Sequence, residues 1–317
     1  MFASLRSFIN TSLGKLRPDS SLPPIPRIGR LSSAQKIFVV TGPTASGKTD
    51  YALKLAEQDP TIEIVNADAF LVYRGFDIGT AKPSQDEMQR VPHHLIDIRE
   101  PHEEFNAADY SRLAREAIRE IIARGNTPVV VGGTGLYIDA LFNGLMEVPQ
   151  DLSDGRERAR REIEQNGFEE MLRRLETIDP DLYQQTRREG NPLRLQRAWE
   201  HYYATGEALG KTRKENKPEA FEFAPEYRVM SVARPEIWKR IEQRVDRMIA
   251  RGWPIEAERL MRKGVTRDMP AMRAIGYREM FDVADGHLPL AEARERIIVR
   301  TRQYAKRQVT WMKRYAL

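Results

Sequence analysis

The residues best suited to chemistry are Lys48, Thr49 and Asp68. Lys48 and Thr49 close the run GPTASGKT, which matches G-x-x-x-x-G-K-[ST] at every fixed position. Gly42 and Gly47 let the backbone bend so that successive N–H groups converge on one anion, and Pro43, Thr44, Ala45 and Ser46 form the loop between them. Lys48 brings a full positive charge to a terminal phosphate, and Thr49 is placed to bind Mg²⁺. A diphosphate ester satisfies such a loop as well as ATP does.

Asp68 follows the apolar run IEIV in VNADAFLVY. A carboxylate there can take a proton from a nucleophile or hold a metal through water, and it can equally cap the next segment. A second turn, VVVGGTG, offers Gly132 and Gly133 for close backbone approach and Thr134 as a hydroxyl at a helix start. A plain structural turn explains it as readily.

These groups need elements to hold them. Short apolar runs alternate with segments of helical period: KIFVV, a helix over about Lys48 to Gln58, IEIV, LIDI near Ile96, a helix over about Ala107 to Arg124, and PVVV. The alternation predicts an α/β fold, a P-loop NTPase-like parallel sheet with covering helices, rejoined late by YRVMSVA. Asp68 then sits beside the phosphate loop at the carboxyl edge of the strands, where ligands collect in such sheets. Residues 148–218 are charged, helical in spacing and without a strand-like run, which predicts an inserted helical domain. The catalytic core is then 36–147 with 219–317, ending in helices near Pro235–Arg251, Pro254–Lys263 and Ala291–Tyr315. Residues 1–35 collect Ser, Pro and Arg and read as a disordered extension, either an organellar targeting segment or a bacterial one.

Composition narrows the class. With 317 residues and 41% hydrophobic content the chain can bury a core, and no apolar run is long enough to span a membrane. The absence of cysteine removes disulfides and thiolate chemistry and fits a reducing compartment, with the cytoplasm as the expected location. The net charge of +5 is unevenly spread: Arg294 to Arg314 holds eight basic residues against one acidic. Such a stripe attracts phosphodiester backbones, although a solvated helix face carries the same composition. On the last helix Ile298, Ala305, Val309 and Met312 share one face and Arg300, Arg307 and Arg314 the other.

Taken in order, GPTASGKT, NADAFLVYRGFDIGTAKPS, VPHHLIDI, VVVGGTGLYIDALFNGL, RLQRAWEHY, MRAIGYREM and TRQYAKRQVTWMKR resemble the tRNA dimethylallyltransferase family. The resemblance runs from about Ile37 to Arg314. It implies transfer of a dimethylallyl group from its diphosphate to N6 of the adenosine 3′ to the anticodon, with Mg²⁺ and release of pyrophosphate. Gly42 to Thr49 would hold the diphosphate, Thr44, Lys48 and Thr49 would steady its developing charge, and Asp68 would be the base. A late arginine would clamp the diphosphate, with Arg259 and Arg244 as the candidates. By motif match, Asp68, Ala69, Phe70, Leu71 and Thr134 would line the adenine pocket. Arg156, Leu193, Arg194, Leu195, Gln196 and Arg197 would contact the tRNA anticodon stem-loop. So would Arg273, Gly276, Tyr277, Arg278, Lys306, Arg307, Gln308, Trp311 and Lys313. Trp311 could stack on a base or belong to the core. The chain departs from the family at Ala69, Phe70 and Leu71, where a small hydroxyl residue and a later Gln are expected, so one contact to the adenine is missing. A monomer is the expected state. A small-molecule kinase would need the same loop and acid but an arginine-bearing lid and no basic final helix. A non-catalytic RNA-binding module would leave Lys48, Asp68 and the GGT turn without a task.

Overall fold

A computed structural model of the protein describes residues 36–145, 153–216 and 219–315. The extension 1–35 lies outside them. The described residues fall into two compact units, one within 1–142 and 221–317, the other within 143–220. The expected divisions at 147/148 and 218/219 fall on residues 147, 148 and 218, which lie outside the described ones.

The first unit is built on a parallel sheet: β1 (Lys36–Thr41), β2 (Ile62–Asn66), β3 (His93–His94), β4 (Thr127–Gly132) and β5 (Ala224–Val229), in the spatial order β3-β2-β4-β1-β5. Alternation along β1 divides its side chains between two cores. Ile37 and Val39 join Val65 and Val130 on one face, whereas Phe38 and Val40 join Ile64, Val129 and Val131 on the other. The second face is covered by α1 (Lys48–Gln58) through Tyr51, Ala52 and Leu55. The first is covered by α3 (Ala107–Ala123) and α4 (Gly135–Asn143), after the short α2 (Gln85–Arg90). Asn106 starts α3 with a reciprocal cap, accepting from the N–H of Asp109, whose side chain accepts from Asn106.

The expected strand at LIDI is replaced by the two residues of β3. Leu95 and Asp97 stand at φ 62° and 54°, left-handed backbone that cannot continue a ladder. Asp97 instead meets the buried ammonium of Lys82, which also donates to the Tyr73 carbonyl at 2.8 Å. The late strand also begins earlier than YRVMSVA suggested, at Ala224.

The second unit consists of α5 (Ser153–Asn166), α6 (Phe168–Ile178), α7 (Pro180–Glu189), α8 (Pro192–Thr205) and α9 (Leu209–Glu215). Asp179 and Asn191 cap the two helices that open on proline, where the missing N–H costs nothing. Met171, Leu175, Leu195 and Trp199 form the centre, and Trp199 Nε1 donates to the Met171 carbonyl at 3.2 Å.

The first unit closes with α10 (Arg234–Ala250), α11 (Trp253–Arg262), α12 (Tyr277–Ala284) and α13 (Leu290–Met312). On α13 the buried stripe passes through Ile298, Ala305, Gln308 and Met312. Val309, expected inward, is 47% exposed, because the stripe advances three residues from Ala305 to Gln308. No helix among the described residues is long and apolar enough to cross a membrane.

Candidate functional site

The phosphate loop emerges from β1 and opens α1 without a side-chain cap. Ala45 and Gly47 both lie in left-handed backbone, at φ 62° and 88°, a geometry that turns successive N–H groups toward one side. For Ala45 the strain is offset by packing of its methyl against Ile237, Ile241 and Ala305. The Ser46 hydroxyl is buried with no hydrogen-bond partner among the described residues. Lys48 Nζ donates to the Pro43 carbonyl at 2.8 Å. Burial, and then the Arg244 guanidinium, push the Lys48 ammonium down to about 7, with Asp68 acting in the opposite direction.

Asp68 follows β2 in a turn fixed by Asn66. The Asn66 carboxamide accepts from the Asp68 N–H at 2.9 Å and donates to its carbonyl and to that of Leu95, each at 3.0 Å. The Asp68 carboxylate accepts from the Phe70 N–H at 3.0 Å through one oxygen. Thr134 accepts from the Ala69 N–H at 3.1 Å, so a hydroxyl stands beside Asp68 although residue 69 lacks one. The close approach of β4 and β2 here needs glycine: a Cβ on Gly132 would stand 2.1 Å from the Ala67 carbonyl oxygen.

Two cavities meet at these groups. One, of about 80 Å³, is lined by Lys48, Thr49, Asn66, His93 and Gln308. The other, of about 310 Å³, has an apolar wall of Phe70, Val245, Met248, Trp253 and Ile297 and a rim carrying Arg273, Arg300 and Arg307. Thr44, Asp68, Thr80 and Arg244 border both. Arg244 donates to the Thr80 carbonyl at 3.3 Å, and its acidity is raised by burial against the steadying charge of Asp68. Arg259 borders neither cavity; it is exposed on α11, 4.0 Å from Asp77 and 3.9 Å from Glu256.

The segment leading into Thr80 is held by a buried carboxylate. Glu256 accepts from the N–H groups of Asp77 at 3.2 Å, Ile78 at 2.9 Å and Gly79 at 3.4 Å, and from the Tyr277 hydroxyl at 2.7 Å. Tyr277 and Gly276 are therefore interior: Gly276 lies under the Trp253 ring, where a Cβ would come within 2.2 Å. Leu195 is buried in the core of the second unit. Trp311 packs on Gly135 and donates to Asp139 at 3.1 Å, a partner shared with Arg314. Arg156, Leu193, Arg197, Arg278, Lys306, Arg307 and Lys313 are exposed. Arg194 pairs with Glu189 and Gln196 with Glu200, both at 2.8 Å. Arg273 grips Glu104 at 2.9 Å.

Sequence reasoning missed Thr80 and Tyr304. Tyr304 stands beside Thr134 and Gln308, and burial with the charge of Asp68 raises its phenol well above the usual range. No sequence pattern marks Thr80, which follows the segment held by Glu256, whereas Tyr304 sits one helical turn before Gln308 in the basic run.

The family model described as IPP transferase matches residues 71–315. Among curated relatives, tRNA dimethylallyltransferase 1 of Pelobacter propionicus is 44% identical over 87% of this chain and 89% of its own length. For tRNA dimethylallyltransferase 2 of Geotalea uraniireducens the figures are 46%, 87% and 88%. The structure is similar to the full-length tRNA isopentenylpyrophosphate transferase from Bacillus halodurans at 37% identity and a TM-score of 0.59, covering 88% of this chain and 86% of that one. It is also similar to a eukaryotic dimethylallyltransferase captured acting on tRNA, at 29% identity and a TM-score of 0.70, with 87% and 69% covered.

Proposed function

The chain belongs to the IPP transferase family, and from that premise we propose that it transfers a dimethylallyl group from dimethylallyl diphosphate to N6 of the adenosine 3′ to the tRNA anticodon. The observation that carries this reading is the junction of the two cavities at Thr44, Asp68, Thr80 and Arg244. The smaller cavity opens on the phosphate loop, and the larger is apolar enough for an allyl group and a base, with arginines at its rim.

The diphosphate lies along the N–H groups of the loop, with Lys48 and Arg244 beside the oxygens that gain charge as the C1–O bond breaks. Pyrophosphate leaves with the electron pair of that bond, N6 supplies the pair for the new C–N bond, and its proton goes to Asp68. An exocyclic amine conjugated with its ring is a weak nucleophile, so removal of that proton matters. Arg244 fills the clamping role in this reading because it borders both cavities, whereas Arg259 borders neither.

Mg²⁺ fits the donors present. Thr49 lines the smaller cavity beside Lys48, and no cluster of three or more His, Cys, Asp or Glu among the described residues could cage a metal. One hydroxyl completed by phosphate oxygens and water is a set that suits Mg²⁺, which would neutralise charge on the leaving diphosphate.

The test is transfer of labelled dimethylallyl from its diphosphate to an unmodified anticodon stem-loop, beside a binding measurement with ATP. Transfer is the expected result. An inactive protein that binds ATP tightly and hydrolyses it would hand the loop to a kinase instead.

A further inference from the structure

Gln308 is 5% exposed, on the inward stripe of α13 where an apolar side chain would ordinarily lie. Both ends of its amide are engaged. Oε1 accepts from the Thr44 N–H of the phosphate loop at 2.8 Å, and Nε2 donates to the Gly133 carbonyl at 2.9 Å. A flipped amide would set donor against donor and acceptor against acceptor, so the partners fix its orientation. Thr44 follows β1 and Gly133 follows β4, which are neighbours in the sheet, and one side chain from the last helix ties the two loops together. Gly133 makes the room: a Cβ there would stand 2.3 Å from Nε2. One turn earlier, Tyr304 stands beside Gln308 and Thr134, and Thr134 accepts from Ala69, the residue after Asp68.

We infer that Gln308 is a positioning residue of the diphosphate site, acting through the phosphate loop, and not a contact to the RNA. The inference rests on the function proposed above. The amide fixes the direction of Thr44 at the point where the loop bends into its left-handed residues. Without it the Thr44 N–H and the Gly133 carbonyl lose their partner. The loop relieves that loss by moving, and donors that have moved no longer converge on the anion. The basic face of α13 and the phosphate loop are thereby keyed to each other through one buried amide.

The experiment compares wild type, Gln308→Met and Gln308→Glu. Met keeps the length and volume without the hydrogen bonds. Glu keeps an acceptor for Thr44, loses the donor to Gly133, and adds negative charge beside the loop. Inorganic pyrophosphate binding is measured by calorimetry, stem-loop binding by fluorescence anisotropy, and KM for dimethylallyl diphosphate by transfer. The expected result for Gln308→Met is a weakening of pyrophosphate by about tenfold, a matching rise in KM, and a stem-loop Kd within about twofold of wild type. Gln308→Glu weakens pyrophosphate at least as much, and it supplies the readout if Gln308→Met does not fold. Unchanged pyrophosphate binding in a folded variant overturns the inference. So does a stem-loop Kd weakened about tenfold, which assigns Gln308 to the RNA or to general support of α13. A wild type that binds pyrophosphate but transfers nothing would count against the proposed function and leave the comparison of variants intact.

Discussion

Charge is arranged differently at the carboxyl edge of the sheet and in the helical unit Asn143–Ala220. At the sheet edge, polar groups far apart in sequence meet: Arg244 reaches the Thr80 carbonyl, Glu256 the N–H groups of Asp77 to Gly79, and Gln308 the loop at Thr44. In the helical unit many pairs are local: Arg158 with Glu162, Arg174 with Glu170, and Lys211 with Glu207 are each four residues apart. Local, exposed pairs are weak and can be traded for an RNA phosphate at small cost. Converging, partly buried groups are aimed before any ligand arrives. The contrast predicts that bond-making and attraction for RNA are separable in this chain, and substitutions can test that separation.

The largest effect is expected at Asp68. Asp68→Asn should lower kcat by about 10²–10⁴-fold while stem-loop affinity stays within about twofold; a parallel loss of RNA binding would break the separation.

Next comes Lys48. Lys48→Met should cost about 10²–10³-fold in kcat. Burial and Arg244 leave its ammonium near 7 in the free enzyme, and a bound diphosphate favours the charged form. Binding above pH 7 should therefore take up a proton, and pyrophosphate affinity should fall as pH rises from there. Calorimetry in buffers of different ionisation enthalpy measures this uptake, which Lys48→Met should abolish.

In the helical unit, Trp199→Ala should destabilise by roughly 3–5 kcal/mol, because it removes a buried ring and the partner of the Met171 carbonyl. Hydrogen exchange should show the loss concentrated in residues 153–216. An equal loss across β1 and β4 would mean that the two units unfold together.

The smallest effect is expected at the exposed cations. Arg156→Ala or Arg197→Ala should weaken the stem-loop a few-fold and reduce the slope of log affinity against log salt by about one, with kcat unchanged at saturation.

Much of the scaffold was legible because its cause is local. Alternation along KIFVV and PVVV, and the glycines and lysine of the phosphate loop, follow from residue type and spacing alone. The LIDI run was misleading because Leu95 and Ile98 pack against the core from a left-handed turn at Leu95 and Asp97. Val309 and Gln308 exchanged places because burial of an amide depends on partners at Thr44 and Gly133, which helical period cannot reveal. Arg244 and Arg259 looked alike as late arginines, and only the packing of α10 and α11 separates one that borders the cavities from one that faces solvent.

The carboxylate of Glu256 has a further consequence. Three successive N–H groups at Asp77, Ile78 and Gly79 form a cradle of the kind that elsewhere grips a phosphate, and Gly79 lies on the wall of the larger cavity. The chain fills that cradle with an anion of its own. With their N–H groups paired inside the chain, Asp77, Ile78 and Gly79 offer no free backbone donors to a diphosphate.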